Sequence, residues 1–244
     1  MLDEKLFDHL RAFDTPTICN ALELVLPERR AVGFTTTPFV CAFKDLKPIV
    51  GFARTATIRA SAPSGLPPAE ARAKRIGYYE YVAAPPQPSL VVIQDLDPQP
   101  GLGAFWGEVN TAIHKGLGLS GCITNGSIRD LDMIAPEFQL LAGKVGPSHV
   151  WVHVVDTGLE VTVHGMTVRH GDLVHADRHG AVVIPPEALE RMPAAIELMS
   201  RREAPILAEA RRRVEVLDHH QGGLGRGGHV LVVAQALGPG LGRR

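Results

Sequence analysis

Apolar residues recur every three or four positions at the start of the chain and then change to alternation with polar residues. The first spacing predicts two short helices, over residues 3–13 and 16–26. Thr15-Pro16 supports the second start, because threonine can cap a helix and proline suits its first position. Residues 48–60 then alternate as a half-buried strand does.

Strands and helices alternate through the middle of the chain. Residues 64–83 are predicted as a loop followed by a helix, and residues 89–97 form an apolar run typical of a strand buried on both faces. Residues 105–118 predict a helix that ends at glycine, and residues 119–125 the next strand. The apolar side of that helix comprises Val109, Ala112, Ile113 and Leu117.

Short strands and turns predominate from residue 139 onward. The predicted strand segments are FQLLA, VWVHVVD, LEVTVHG, MTVRHGDLVHA and GAVVIP. A helical stretch over 186–217 follows, interrupted or redirected at Pro193 and Pro205, and a glycine-rich tail spans 218–244. No repeat or linker marks a boundary, so we expect a single α/β domain over 1–217, with a central mixed sheet and helices on both sides.

Composition narrows the class of partner. The chain has 244 residues, 45% of them hydrophobic, which is enough for a large core. Its 25 Lys and Arg against 26 Asp and Glu leave a formal charge of −1, which does not favour a nucleic acid or an anionic membrane. A small molecule or a protein is the expected partner.

The three cysteines, Cys19, Cys41 and Cys122, form no C-x-x-C pair and suit neither a disulfide framework nor a zinc ribbon. No stretch approaches 18 consecutive apolar residues, and the charged start predicts an amphipathic helix rather than an export signal. We therefore expect a soluble, cytoplasmic protein. Cys122 lies in an apolar strand without an evident base, so we do not expect it to be a nucleophile.

Glu108 and the pair Arg129-Asp130 flank one predicted helix and the strand after it. A helix of about nine residues and a strand of about five span similar lengths, ~14 Å and ~16 Å. The chain should therefore return to the sheet edge that it left, where open α/β sheets bind ligands. We expect these three side chains to converge on one site.

Asn125-Gly126 is predicted to turn the chain so that Arg129 and Asp130 face one pocket, since neighbours on a regular strand point to opposite faces. Free N–H groups at the start of the preceding helix, 107–117, would suit a substrate carboxylate. Two carboxylates in one pocket repel each other unless a cation separates them, and hard oxygen ligands suit Mg²⁺ or Mn²⁺. A surface Arg–Asp pair without chemistry is the alternative that the spacing leaves open.

At these residues the chain resembles the RraA-like family, which includes metal-dependent 4-hydroxy-4-methyl-2-oxoglutarate aldolases, also named 4-carboxy-4-hydroxy-2-oxoadipate aldolases. The family signature is an acid followed after twenty residues by Arg-Asp, as in Glu108 and Arg129-Asp130. HGDLVHADRHGAVVIPPE, residues 170–187, resembles a second family signature. The resemblance runs from about residue 15 to about residue 215 and implies a swivelling β/β/α-type core.

The resemblance also implies a role for each residue of the signature. Asp130 would bind Mg²⁺ or Mn²⁺ directly, and Glu108 would bind it through a water molecule. Arg129 would contact the pyruvyl group of the substrate. The substrate carboxylate would bind the backbone amides of Glu108, Val109 and Asn110.

A homotrimer or dimer of trimers, with active sites between subunits, is implied in the same way. Glu203 is, by position, the candidate for an acid supplied by the neighbouring subunit. The implied activity is retro-aldol cleavage of a 4-hydroxy-2-oxo acid with release of pyruvate, and oxaloacetate decarboxylation is a second activity. A non-catalytic protein-binding regulator is the alternative, because family members without the Arg-Asp pair include an inhibitor of RNase E.

Three positions depart from the common family pattern. Glu108 stands where the best-known aldolases carry Asp, and Asn20 and Asn125 stand where many relatives carry Asp. These differences are compatible with metal chemistry but leave the substrate open.

Histidines between residues 149 and 179 superficially resemble a zinc site. On strands, His149 and His153 would share a face, as would His175 and Asp177. The acid and the Arg-Asp pair account for a metal without them, so we expect His175 and Asp177 to form hydrogen bonds within a turn.

Overall fold

The structure of the protein is a computed structural model that describes residues 4–220. It has helices α1 (Glu4–Arg11), α2 (Thr15–Val25), α3 (Pro68–Ala83), α4 (Glu108–Gly116), α5 (Pro186–Leu189) and α6 (Met192–His220). Its strands are β1 (Val40–Cys41), β2 (Ile49–Arg59), β3 (Ser89–Asp95), β4 (Ala104–Trp106), β5 (Leu119–Ile128), β6 (Gln139–Val145), β7 (His153–Thr157), β8 (Val161–Val163), β9 (Met166–Val168), β10 (Leu173–Asp177) and β11 (Gly180–Ile184). Single 3₁₀ turns occur at Pro27–Arg29 and Leu131–Met133.

The chain divides into two compact units, residues 1–195 and 196–244, and the boundary lies within α6. In the second unit, the described residues are helical. The domain limits predicted from the sequence, 1–217 and 218–244, stay predictions, and residues 221–244 of the glycine-rich tail lie outside the described residues. None of the described helices is both long and apolar enough to cross a membrane.

A mixed sheet forms the centre of the first unit, in the strand order β1-β6-β5-β3-β2-β10-β11. Strands β2, β3, β5 and β6 are parallel, whereas β1, β10 and β11 are antiparallel to their neighbours. β7 adds to β2, β4 adds to β5, and β8 and β9 form a separate hairpin. The predicted fold, a mixed α/β sheet flanked by helices, is confirmed.

Apolar clusters cover both faces of this sheet. Alternate residues of β3 belong to different clusters, with Val91 and Ile93 in one and Leu90 and Val92 in the other. Residues 48–60 contain the predicted strand, β2, but the prediction that this strand is half-buried was wrong. β2 lies in the middle of the sheet, so its polar side chains, including Thr55, are buried as well.

After residue 139, several strands and helices begin or end at residues other than those predicted. MTVRHGDLVHA forms two strands, β9 and β10, and only the second half of VWVHVVD enters β7. The predicted long helix is divided at residues 190–191, just before Pro193, whereas Pro205 lies inside the continuous α6.

Helix α4 turns polar side chains toward the interior. The predicted apolar side is exposed, because Val109 is 67% and Ile113 36% accessible to solvent, while Thr111 and His114 are fully buried. Both polar residues are satisfied there. The Thr111 hydroxyl donates to the Gly107 carbonyl at 2.8 Å, and His114 Nδ1 donates to the Asn110 carbonyl at 2.6 Å.

The second ring nitrogen of His114, Nε2, accepts a hydrogen bond from the Tyr78 hydroxyl at 2.7 Å. Both partners therefore suit a neutral imidazole, and Tyr78 is itself buried. Burial lowers the pKa of His114 from 6.5 to about 4, because a charged imidazole would lose its hydration.

We predict that His114 makes the protein less stable in mild acid. Below pH 6.5 the unfolded chain takes up a proton that the folded chain accepts only near pH 4, so the free energy of unfolding falls over this window. We expect the titration of His114 to lower the free energy of unfolding by about 2 kcal/mol between pH 7 and pH 5. Urea unfolding of wild type and His114→Gln at both pH values measures it. Equal losses of stability in the two proteins would contradict this assignment.

Candidate active site at the first turn of helix α4

Strand β5 continues through Asn125-Gly126, so the turn predicted there was wrong. The Asn125 side chain makes the hydrogen bonds to the Asp95 backbone that the backbone of a neighbouring strand would otherwise make. Its Oδ1 accepts from the Asp95 N–H at 2.7 Å, and its Nδ2 donates to the Asp95 carbonyl at 3.1 Å. This amide holds the end of β3 beside β5 where the regular ladder between the two strands has ended at Thr124.

The chain turns at Asp130 instead. Asp130 has φ 53° and ψ 44°, the left-handed conformation that aspartate tolerates better than most residues. Arg129 precedes this turn, and its N–H donates to the Trp106 carbonyl at 2.9 Å. The left-handed residue reverses the direction of the chain, so that adjacent side chains can face the same cavity.

The first turn of α4 lies next to Asp130, as the sequence predicted. The Glu108 N–H and Arg129 Nε lie 3.4 Å and 3.3 Å from the same carboxylate oxygen, Asp130 Oδ2. Gly107 makes this approach possible. A Cβ at Gly107 would stand 2.5 Å from Asp130 Oδ2 and 3.0 Å from Arg129 Cγ, so any larger residue would displace both side chains.

A cavity of about 490 Å³ opens at this point. Arg129 and Asp130 both line it, each with 35% of its side chain exposed, and Gly107, Val109 and Asn110 contribute the start of α4. The Glu108 side chain is exposed and is not part of this lining. The cavity therefore combines a guanidinium, a carboxylate and the positive end of a helix dipole.

The donor set at this site fits a hard divalent cation. Asp130 Oδ1 forms no hydrogen bond within the described residues, so one carboxylate oxygen remains available. Mg²⁺ commonly uses one or two carboxylates and completes its shell with water and substrate oxygens. No group of three or more His, Cys, Asp or Glu side chains in residues 4–220 could enclose a metal by itself. An ion here would therefore depend on Asp130 together with substrate and water.

Asn110 and Val109 occupy the first turn of α4, where a helix offers no carbonyl to its leading N–H groups. The Asn110 side chain is already committed, because its Oδ1 accepts from the Tyr79 hydroxyl at 2.9 Å and its Nδ2 donates to the Phe105 carbonyl at 2.5 Å. Only its backbone can serve a substrate carboxylate. Glu203 lies in the second unit as an exposed residue of α6, and its role at a neighbouring site stays a prediction.

The histidines divide into two groups. His149 and His153 line the cavity, but each directs Nδ1 to a backbone carbonyl of the same loop, that of Val150 or Trp151. His175 does not bond within a turn as expected. It is buried between elements and contacts Thr15 Oγ1 and two backbone carbonyls at the junction of α1 and α2.

Asp177 accepts from the N–H groups of Thr15 and His179, so it caps the start of α2 and closes its own turn. Asn20 lies exposed on α2 and does not line the cavity. Cys122 is buried, and burial raises the pKa of its thiol, which is consistent with a structural side chain.

Sequence reasoning missed Arg75, Phe105 and Trp151, which all line the cavity. Arg75 lies on α3 close to Arg72 and Lys74, and this local excess of cations is the signal that could have identified it. The loop that carries Trp151 offers no comparable signal. It depends on Val150, whose φ of 46° is rare for a β-branched residue.

Comparisons with known proteins agree with the fold. The family model described as RraA-like, Aldolase/RraA, matches residues 15–183. No curated protein matches the chain.

Three solved structures have similar folds. One, described as novel cellulases from microbes associated with the gut ecosystem, is 18% identical, covers 84% of this chain and 88% of its own, and has a TM-score of 0.67. An uncharacterized protein from Pseudomonas syringae pv. tomato is 18% identical, with coverage of 96% and 98% and a TM-score of 0.62. Streptomyces coelicolor RraAS2, described as an unusual member of the RNase ES inhibitor RraA protein family, is 19% identical, with coverage of 85% and 96% and a TM-score of 0.62. At these identities the likeness concerns the fold alone.

We predict that Asn125→Ala lowers the free energy of unfolding by about 2 kcal/mol, because the buried N–H and carbonyl of Asp95 would lose their partners. Urea unfolding at pH 7 measures the change. Asn20→Ala is the matched control, since Asn20 is exposed on a helix and alanine is the better helix former. Equal stability of the Asn125 variant and the control would show that the amide does not hold the two strands together.

Proposed function

The chain belongs to the RraA-like family, and from this premise we propose that it is a divalent-metal-dependent lyase. It would cleave a 4-hydroxy-2-oxo acid by a retro-aldol reaction that releases pyruvate, and it would also decarboxylate oxaloacetate. One observation carries the proposal: Arg129 and Asp130 line the same cavity, at the first turn of α4.

Asp130 would hold Mg²⁺ or Mn²⁺ through its available carboxylate oxygen, and Glu108 would assist through a water molecule. When bound, the ion would stabilise negative charge on the 2-oxo oxygen of the substrate. The Arg129 guanidinium would share that charge, because it faces the same cavity. The leading N–H groups of α4 would bind the substrate carboxylate.

Retro-aldol cleavage begins when a base removes the proton of the C4 hydroxyl. The C3–C4 bond then breaks, its electron pair forms the enolate of pyruvate, and a carbonyl compound leaves. Protonation of the enolate at C3 yields pyruvate. Glu108 is exposed on the first turn of α4 and would orient the water that accepts and returns the proton.

Oxaloacetate would follow the same path after binding. Loss of CO₂ leaves the same enolate with the same charge on its oxygen, so Arg129 and the N–H groups of α4 would serve both reactions. No additional residue is required, and oxaloacetate is therefore a convenient assay substrate.

The assembly and location belong to this proposal too. We propose a cytoplasmic homotrimer or dimer of trimers in which Glu203 reaches the site of a neighbouring subunit. Family resemblance supports this assembly.

A protein-binding regulator is the alternative, and one solved structure with this fold is described as an RNase ES inhibitor family member. A fold of this kind can host unrelated functions, so the side chains in the cavity must decide. Retention of both Arg129 and Asp130 in one cavity favours the enzyme.

We predict that Arg129→Ala and Asp130→Asn each lower kcat/KM for oxaloacetate at least about 100-fold. The first removes the cation that would share the negative charge of the transition state, and the second removes the anion that would hold the metal ion. Asparagine also tolerates the left-handed backbone, so Asp130→Asn changes the charge without straining the turn. Pyruvate release is measured with Mg²⁺, with Mn²⁺ and with EDTA. EDTA should abolish the activity of the wild type.

Asp132→Asn is the matched control, since Asp132 is an exposed acid on the adjacent 3₁₀ turn and lies outside the cavity lining. This variant should keep wild-type activity. Activity that depends on neither the metal nor the two side chains would reject the lyase and favour the regulator.

We predict that Gly107→Ala lowers kcat/KM about 10- to 100-fold without unfolding the protein, because the added Cβ would displace Asp130 and Arg129. Gly116→Ala, at the end of the same helix, is the control, since its Cβ would meet open space. Thermal unfolding of both variants accompanies the assay. Full activity of Gly107→Ala would mean that the close approach to Asp130 is not required for catalysis.

A further inference from the structure

A second cavity of about 520 Å³ adjoins the active-site cavity. Both are lined by Arg75, Phe105, Val109 and Asn110, so they share a wall. Cavities of 300–1,000 Å³ are typical of sites for drug-sized ligands. Pyruvate and the signature residues that would bind it account for the first cavity alone.

The exposed side of α4 forms much of this second wall. Val109 and Ile113 project into the second cavity, because the interior side of the helix is taken by Thr111 and His114. Leu66 and Val154 extend the apolar surface on other elements. An apolar surface of this kind gains free energy when an apolar group of a ligand covers it.

Three cations border the same cavity from one helix. Arg72, Lys74 and Arg75 all lie on α3, and the lining contains no Asp or Glu. None of the three forms an ion pair within residues 4–220. Their positive potential is therefore available to an anionic ligand.

We propose that this second cavity binds the distal half of the substrate, an apolar segment that ends in an anionic group. Arg75 is the specificity-determining residue, because it lines the second cavity and, unlike Arg72 and Lys74, also lines the first. Arg129 would bind the 2-oxo acid, the side of α4 that carries Ile113 would contact the apolar segment, and Arg75 would pair with the terminal anion. The inference rests on the proposed function, since the 2-oxo acid end must bind beside Arg129.

Three ligands measure separately how much the 2-oxo acid, the apolar segment and the terminal anion contribute to affinity. Pyruvate carries the 2-oxo acid alone, 2-oxo-4-phenylbutanoate adds an apolar group, and 2-oxo-4-(4-carboxyphenyl)butanoate adds the terminal anion. Their dissociation constants are measured by titration calorimetry with the full chain and saturating Mg²⁺. We expect affinity to rise about tenfold at each addition, as one buried apolar group and one charge-assisted contact would give.

Two variants assign each gain to its residue. Arg75→Gln should lose the gain from the terminal carboxylate and keep the gain from the phenyl group. Ile113→Glu should lose the phenyl gain, because it places a charge in the apolar wall. Ile113→Glu should bind pyruvate as the wild type does, and binding of 2-oxo-4-phenylbutanoate by Arg75→Gln would confirm that this variant folds. Lys47→Gln is the matched control for Arg75, since Lys47 is exposed and lines neither cavity.

The outcomes distinguish this inference from the proposed function. If pyruvate binds and requires Arg129 but the longer ligands bind no better, the inference is wrong and the lyase stands. If the wild type binds none of the three ligands, both proposals fail. Gains that persist in Arg75→Gln and Ile113→Glu would also overturn the inference.

Discussion

The parallel pairing of β4 with the last residues of β5 is the contact on which the candidate site depends. Ala104 pairs with Ser127 and Trp106 with Ile128, so α4 must begin beside the turn that follows β5. Gly107 then allows the Asp130 carboxylate to approach the helix. If this short strand were displaced, the first N–H groups of α4 would no longer face the carboxylate.

Buried polar contacts also fix the positions of β5 and α4. Asn125 completes the hydrogen bonds of Asp95 at the end of β3, and His114 joins α4 to Tyr78 of α3. Because a polar group without a partner is costly in the interior, these contacts permit few alternative positions for the helix. They also direct its polar side inward and leave its apolar side, including Ile113, facing a cavity.

Helix α4, with its polar side toward the interior and its apolar side toward the second cavity, contributes to both proposed binding sites. The leading N–H groups of α4 and the side chains of Arg129 and Asp130 would bind the reacting end of a 2-oxo acid. The outer side of the same helix and Arg75 would bind the remainder of the molecule. Reaction type and substrate choice would then depend on different residues, so either could change during evolution while the other was retained.

Local sequence patterns were sufficient for the type and order of most elements, because apolar periodicity reflects which side chains the sheet and helices can bury. The spacing of Glu108 from Arg129-Asp130 also placed the start of α4 next to Asp130. Tertiary structure decided the rest. The three-residue β4 is too short to carry a periodic signal, and its pairing with β5 and the burial of Trp106 are tertiary contacts. The position of the turn, at Asp130 rather than at Asn125, depended on a side-chain contact with a strand thirty residues earlier, which no local pattern records.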